Sequence, residues 1–311
     1  MRLDLAVVAR GLARSRTHAQ TLIAAGTILL DGTPATKASL NVRDDAVIEI
    51  IGPPDHYVSR AAHKLLGALD ECAPLGLSVG GRIAVDAGAS TGGFTQVLLE
   101  RSIAHVTAVD VGHGQLAQSI RDDDRVTVIE GVNVRDLERG SLRPDTELIV
   151  ADLSFISLTM VIPALVRATA TASDFVLMVK PQFEVGRQRL GKHGVVTDHG
   201  DRSDAVAGVV TAMRSAGLSI HHVARSELPG PHGNVEFFVW GASAWHARDV
   251  GDAGDNEEAG FNEIKVHGES DQHDVGLGSA GHVIREVPAR DRPVLDNKAA
   301  AAAIAREVAK G

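Results

Sequence analysis

Four charged side chains stand where charge is costly unless it is used. Leu148-Ile149-Val150-Ala151 is an apolar run that stops at Asp152, and Phe175 to Val179 is another that stops at Lys180. In an open α/β sheet, ligands bind beyond the carboxyl ends of the strands, so the first polar residue after such a run faces the site. Both have ordinary readings as well: Asp152 can cap a helix starting near Ile156, and Lys180 can be a loop lysine reaching for water. Glu236 is harder to dismiss. It lies inside Val235-Glu-Phe-Phe-Val-Trp240, where a lone buried carboxylate needs a cation, and Lys180 and Lys64 are the candidates. Lys64 stands off the apolar stripe Ala62, Leu65, Leu66 and Leu69 of a helix that Ser59 can cap. Two lysines with two carboxylates form a nearly neutral set able to orient and polarise a hydroxyl. Lys180, held by Asp152 and Glu236, can hydrogen-bond a developing alkoxide or, if neutral, take the proton.

A co-reactant is suggested by residues 82 to 94, Arg-Ile-Ala-Val-Asp-Ala-Gly-Ala-Ser-Thr-Gly-Gly-Phe. Ile83 to Val85 reads as a buried parallel strand, and Phe94, Val97 and Leu98 have helical spacing. The turn between them offers backbone N–H groups and a helix N-terminus to a ligand; its close approach would explain Gly88, Gly92 and Gly93. A dinucleotide turn reads G-x-G-x-x-G, whereas Asp86 is followed here by G-x-x-x-G-G, without the early glycine pair that fits a pyrophosphate. The next strand, His105 to Val109, ends at Asp110, where an acid can accept both ribose hydroxyls. The pattern favours an adenosine ligand without a diphosphate, of which S-adenosylmethionine is the common one. A glycine-rich turn in another kind of α/β protein is the plain alternative.

Positioning these groups takes a sheet. Strands are expected at 82–86, 105–110, 126–130, 147–151, 174–179, 219–224 and 235–241, with helices between most pairs. That alternation implies an α/β fold with a largely parallel sheet covered on both faces. The last two strands are joined by a loop through Pro229, Pro231 and Gly233, too short for a helical crossover, so they should pair antiparallel. One reversed strand in a seven-stranded, mostly parallel sheet is the class I, Rossmann-like methyltransferase arrangement.

The chain falls into five stretches: 1–51, a linker at 52–58, the sheet-bearing domain at 59–242, an acidic Gly-rich stretch at 243–292 expected to be disordered, and a helix within 293–311. Asp296 or Asn297 can cap that Ala-rich helix, and with only Ile304 and Val308 on one stripe it is expected to dock weakly. The formal charge of −9 is unevenly spread: residues 241–311 carry 8 Lys+Arg against 13 Asp+Glu, so bulk charge decides little and local patches must. No apolar run approaches the ~18 residues of a membrane span, and no basic leader precedes a hydrophobic stretch. The lone Cys72 excludes a disulfide framework and a multi-cysteine metal site. A cytoplasmic protein with no resident metal is expected.

Residues 1–51 read as two helices and a hairpin, the second helix running from Ser15 to Gly26 and the turn at Asp31-Gly32. The pattern G-L-A-R-S-R-x-x-A-x-x-L-I-x-x-G-x-I-x-x-D-G resembles the S4 RNA-binding domain, a small α+β unit. Arg14, Arg16 and His18 cluster at the second helix's start with Arg2 and Arg10 nearby, a set able to grip phosphates. A solvated helix face is the bland reading. No aromatic residue lies in 1–51, so backbone or shape recognition is favoured over base stacking.

Lys64, Asp152, Lys180 and Glu236 together resemble the K-D-K-E tetrad of FtsJ-like RNA ribose 2′-O-methyltransferases. With the S4 pattern in front, residues 1 to about 242 are similar to the TlyA family of rRNA 2′-O-methyltransferases, some once described as haemolysins. The resemblance is carried by S-R-A-A-H-K at 59–64, D-A-G-A-S-T-G-G-F at 86–94, A-D-L-S-F-I-S-L at 151–158, V-K-P-Q-F-E-V-G at 179–186 and P-G-P-H-G-N-V-E-F-F at 229–238. It implies S-adenosylmethionine as cofactor, bound by Asp86, Gly88, Ala89, Ser90, Gly92, Gly93, Asp110 and Asn133. It further implies ribosomal RNA or ribosomal subunits as partner, a cytidine of large-subunit RNA as first target with small-subunit RNA as a second, and a monomer. Members that also modify small-subunit RNA carry a longer basic N-terminus, of which only Arg2 stands here, and some carry Trp where this chain has Tyr57.

Other acceptors lack their chemistry: no N/D-P-P-Y/F turn follows Asp152 to hold a base amine, and Cys72, ahead of the sheet, is misplaced as a nucleophile for a C5 carbon. The competing classes are a membrane-active haemolysin-like protein, which no basic-flanked apolar helix supports, and a non-catalytic S4 RNA-binding protein.

Overall fold

The computed structural model describes residues 1–243 and 292–310, apart from 14, 25, 52–55, 170–171 and 231. Residues 244–291 of the acidic stretch, most of the linker, and Arg14 therefore lie outside the described residues. The chain forms two compact units, Met1–Tyr57 and Val58–Gly311.

In the first unit, α1 (Leu3–Ala9) and α2 (Arg16–Ala24) pack beside a small antiparallel sheet of β1 (Ile28–Leu30), β2 (Thr33–Pro34) and β3 (Ile48–Ile50), in the order β2-β1-β3. Asp31 and Gly32 both take positive φ, 51° and 77°, as a two-residue turn between right-twisted strands requires. Leu3, Val7, Ala19, Ile23, Ile28 and Ile48 form the core. On α1, Leu5 is exposed and Asp4 is fully buried, because Asp4 shares its face with Leu3 and Val7 at helical spacing.

The second unit opens with α3 (Ala61–Cys72). There follow β4 (Ile83–Ala87), α4 (Gly93–Glu100), β5 (His105–Asp110), α5 (Gln118–Arg121), β6 (Val126–Glu130), β7 (Leu148–Ala151), α6 (Leu158–Ala168), β8 (Asp174–Val179), α7 (Pro181–Glu184), α8 (His199–Ser215), β9 (Leu218–Arg225), β10 (Phe237–Ser243) and α9 (Asn297–Ala309). Seven strands make one sheet in the order β6-β5-β4-β7-β8-β10-β9. All pairings are parallel except those of β10, which runs antiparallel to both β8 and β9. From β4 the chain winds outward one way to β6 and then returns to start β7 on the other side of β4. That reversal opens a crevice at the carboxyl ends of β4 and β7.

The C-terminal helix departs from the weak docking expected. Asp296 caps α9 by accepting from the Ala299 N–H at 2.7 Å, and Ala300, Ala303, Ile304 and Val308 join one core with Val206, Val210 and Met213 of α8 and Leu218 and Ile220 of β9. Arg292 pairs with the buried Asp174 at 2.8 Å, and Arg214 donates to the Leu295 carbonyl at 2.8 Å. Two large apolar residues suffice because the groove between α8 and β9 admits alanines as close neighbours. Among the described residues no helix is long and apolar enough to cross a membrane.

Candidate active site

The strand ends converge on a cleft of about 770 Å³, lined among others by Gly88, Ser90, Asp110, Asn133, Asp152 and Phe155, a size suited to a small-molecule ligand. Gly88 follows β4 with φ 86°, and a Cβ there would come within 2.8 Å of the Asp152 carbonyl oxygen. Asp110 ends β5; its two carboxylate oxygens accept from the Ser90 N–H at 2.8 Å and the Gly112 N–H at 2.7 Å. Those bonds hold the carboxylate at the cleft wall with acceptor capacity left for a diol.

Asp152, directly after β7, belongs to this wall and also reaches Lys180 at 2.5 Å. Lys180, directly after β8, donates in addition to Ser154 Oγ at 2.9 Å. Glu236 precedes β10, whose register sets Phe237 opposite Val179. It is 1% exposed and its carboxylate pairs with Lys64 of α3, itself buried. Gln182 Nε2 lies 3.4 Å from the other oxygen of Glu236. The buried carboxylate's cation is thus Lys64, and the expectation that Glu236 also holds Lys180 is replaced by two ion pairs, Lys64–Glu236 and Lys180–Asp152. The division has a geometric cause: Lys180 leans toward the β7 loop, where Asp152 pairs with it and Ser154 accepts from it, leaving Glu236 to the helix side.

Comparison with known proteins assigns a family to each unit. A model of the FtsJ-like methyltransferase matches residues 57–243, and an S4 domain model matches residues 1–48. The 16S/23S rRNA (cytidine-2′-O)-methyltransferase TlyA of Mycobacterium tuberculosis is 49% identical over 240 residues, 77% of this chain and 88% of that protein. The chain belongs to the TlyA family. The 23S rRNA (cytidine-2′-O)-methyltransferase TlyA of Campylobacter jejuni is 32% identical, over 77% of this chain and 98% of that protein. A solved structure from Streptococcus thermophilus, described as a hemolysin, superposes with a TM-score of 0.62 at 34% identity, covering 78% of this chain and 88% of that one.

Within this TlyA-family site the glycine-rich turn works differently from its expected role. Gly92 and Gly93 do not line the cleft. A Cβ at Gly92 (φ 96°) would lie 2.9 Å from Leu116, and one at Gly93 2.8 Å from Ser59 Cβ and 3.2 Å from the Ala62 N–H nitrogen. These glycines admit neighbouring elements, and Gly93 in particular lets α4 approach the start of α3, the helix that carries Lys64. Ala89 is buried outside the cleft lining, as is Asp86.

Asp86 is fully buried; one oxygen accepts from Thr95 Oγ at 2.7 Å, and the other has no hydrogen-bond partner among the described residues. Burial, with Asp152 and Asp110 nearby, pushes its carboxyl up to about 7 against the opposing Thr95 hydroxyl. An unfolded aspartate titrates near ~3.9, so the folded state holds the extra proton between about pH 4 and 7. The sign follows: this group's stabilisation is complete below about pH 4 and is lost as pH rises to about 7, at up to ~1.4 kcal/mol per pH unit. In urea titrations of the ligand-free protein, Asp86→Asn should therefore gain stability relative to wild type from pH 5 to 7 and hold that gain at pH 8. A pH-independent difference would refute the raised carboxyl.

Residues in and beside the cleft that carry no isolated signal in the sequence also shape it. Phe155 has φ 64° and is 91% exposed at the cleft, with its ring 5.3 Å from Phe183. Glu184 accepts from Ser157 Oγ at 2.5 Å and the Leu158 N–H at 2.8 Å, tying the segment after β8 to the start of α6. Ser154, Gln182 and Glu184 lie in the stretches 151–158 and 179–186, where only the residues that end the apolar runs, Asp152 and Lys180, carry a signal of their own. In the first unit Arg10 donates to the Ala46 and Asp44 carbonyls, so part of its guanidinium serves the fold.

Proposed function

We propose that this protein transfers a methyl group from S-adenosylmethionine to the ribose 2′-hydroxyl of a cytidine in large-subunit ribosomal RNA, with small-subunit RNA as a second target. The observation that carries the reading is the double use of Asp152, which belongs to the cleft wall and holds the Lys180 amine. An acceptor hydroxyl placed against Lys180 Nζ would thus lie beside whatever fills the cleft. The residues fit an adenosine: Asp110 offers a carboxylate for ribose hydroxyls, and Gly88, Ser90 and Asn133 line the same space. Bound there, the cofactor supplies a methyl group already activated by the positive sulfonium.

The protein's task is then the nucleophile, since a ribose hydroxyl is weakly nucleophilic near neutral pH. Lys180, held by Asp152 and Ser154, aims its remaining N–H or lone pair at the hydroxyl, and orientation and charge stabilisation lower the barrier. A charged Lys180 donates to the developing alkoxide; a neutral one accepts the proton. The Lys64–Glu236 pair and Gln182 fix the opposite wall. Phe155, strained and exposed, offers an apolar face to the acceptor's base, a use that would justify its backbone conformation. Arg2, Arg14, Arg16 and His18, with what remains of Arg10, would grip the RNA backbone. The reading implies a monomer working in the cytoplasm, where ribosomes are.

The test is transfer of labelled methyl from S-adenosylmethionine to isolated large and small ribosomal subunits lacking the modification, with the modified position mapped by resistance to alkaline cleavage. Ribose methylation of a cytidine is expected. Label on a base, or no transfer to either subunit, would overturn the reading.

A further inference from the structure

We propose that Asp4 is a buried template that sets Arg2 and Arg16 as one preformed phosphate-gripping pair. The inference rests on reading residues 1–51 as an RNA-binding domain and says how that domain organises its grip.

Asp4 lies in α1 and is 0% exposed, an unusual place for a carboxylate. One oxygen accepts from Arg2 Nε at 3.0 Å and from the Leu5 N–H at 3.1 Å. The other accepts from Arg2 Nη2 at 3.0 Å, Arg16 Nε at 2.9 Å and Gln20 Nε2 at 2.9 Å. Arg2 and Gln20 together with Arg16 hold the carboxyl well below the usual carboxylate range, so the group is ionised. Arg2 immediately precedes α1, while Arg16 and Gln20 are one turn apart on α2. A single carboxylate thus joins the starts of both helices.

The consequence lies in which edges of the arginines are used. A guanidinium is planar, with its five N–H groups fixed in a fork. Arg2 meets Asp4 through Nε and Nη2, and Arg16 through Nε, so the Nη1 edge of each guanidinium lies away from the carboxylate. Their side chains remain 43% and 54% exposed. Two long side chains that would otherwise sample many rotamers are locked by their inner edges with their outer edges presented to solvent. The ordering is done before RNA arrives, so less affinity is lost to it on binding. The cluster carries a net charge of +1, enough to attract phosphate, and a guanidinium suits bidentate contact with phosphate oxygens.

The competing account is that Asp4 only joins two helices, and the sign of one substitution separates them. Asp4→Asn removes a negative charge beside two arginines. By charge alone it should bind RNA more tightly, with a steeper salt dependence. As a lost template it should bind isolated large ribosomal subunits roughly tenfold more weakly, with a log–log salt slope smaller by about one. The loss should appear in KM for the subunits and not in kcat. Affinity equal to or better than wild type, in full-length protein whose thermal unfolding still shows the first unit folded, would overturn the proposal.

Should Asp4→Asn unfold that unit, the double variant Arg2→Lys with Arg16→Lys takes over. It keeps both charges but cannot make the Nε-plus-Nη contact, and a comparable loss is expected; wild-type affinity would overturn the template. Arg2→Ala with Arg16→Ala tests the underlying reading. If that variant binds subunits normally, the two arginines are not part of the RNA grip at all. If it loses binding while the lysine variant does not, the grip stands and the template alone fails.

Discussion

Lys180→Ala should abolish methyl transfer, by at least ~10³-fold in single-turnover rate, while calorimetric affinity for S-adenosylmethionine stays within roughly threefold of wild type. The separation follows from position: Lys180 lies outside the lining of the cleft and touches that wall only through Asp152 and Ser154 among the described residues. On the proposed mechanism, loss of the amine removes the group set against the acceptor hydroxyl and leaves Asp110, Gly88, Ser90 and Asn133 in place. Lys180→Arg sharpens the result. Arginine keeps the charge and the donor capacity but cannot take a proton in a protein, so measurable residual transfer favours donation to the alkoxide, and complete loss favours proton abstraction or strict geometry. Normal turnover in Lys180→Ala would remove this lysine from the mechanism.

The second large effect concerns Lys64 and Glu236, buried together with Glu236 1% exposed. Removing either partner strands the other's charge, so Lys64→Met and Glu236→Gln should each lose about 3–5 kcal/mol of stability in urea denaturation. Combined, Lys64→Met/Glu236→Gln leaves no buried charge at this position, and much of the loss should return, because a neutral pair of similar volume avoids the desolvation cost. Methyl transfer should not return with it. A double variant no more stable than the single ones would show that the pair is not the energetic unit described; a double variant with wild-type transfer would make it scaffolding only.

The sheet was readable because buried parallel strands are continuous apolar runs: β5, β6 and β8 fall where those runs predict, and β4 and β7 within a residue. The strand next to the far edge was less so. The apolar run at 235–241 suggested a strand from Val235, but β10 spans Phe237–Ser243, which leaves Glu236 in the preceding turn, free to reach α3. Which lysine answers Glu236 was beyond local pattern, since Lys64 lies 172 residues away and the packing of α3 against α4 and β9 brings it in. The glycines at 92 and 93 illustrate a different limit: their spacing signals a close approach without saying whether a ligand or a helix is what approaches. Phe155 carried no signal at all, since a left-handed backbone at a bulky residue is imposed by its surroundings. Asp4 was hidden by its own polarity, on the face that Leu3 and Val7 turn inward.

β8 has consequences beyond the lysine that follows it. Its first residue, Asp174, anchors Arg82 and Arg292, and the residue before it, Ser173, exchanges hydrogen bonds with Ser243. Ser243 and Arg292 are therefore both held near one tip of β8, six residues and roughly 20 Å of extended chain from the tip where Lys180 stands. Substitutions at these anchors, such as Asp174→Asn, should therefore act on stability through Arg82 and Arg292 while leaving the Lys180–Asp152 pair at the opposite tip in place.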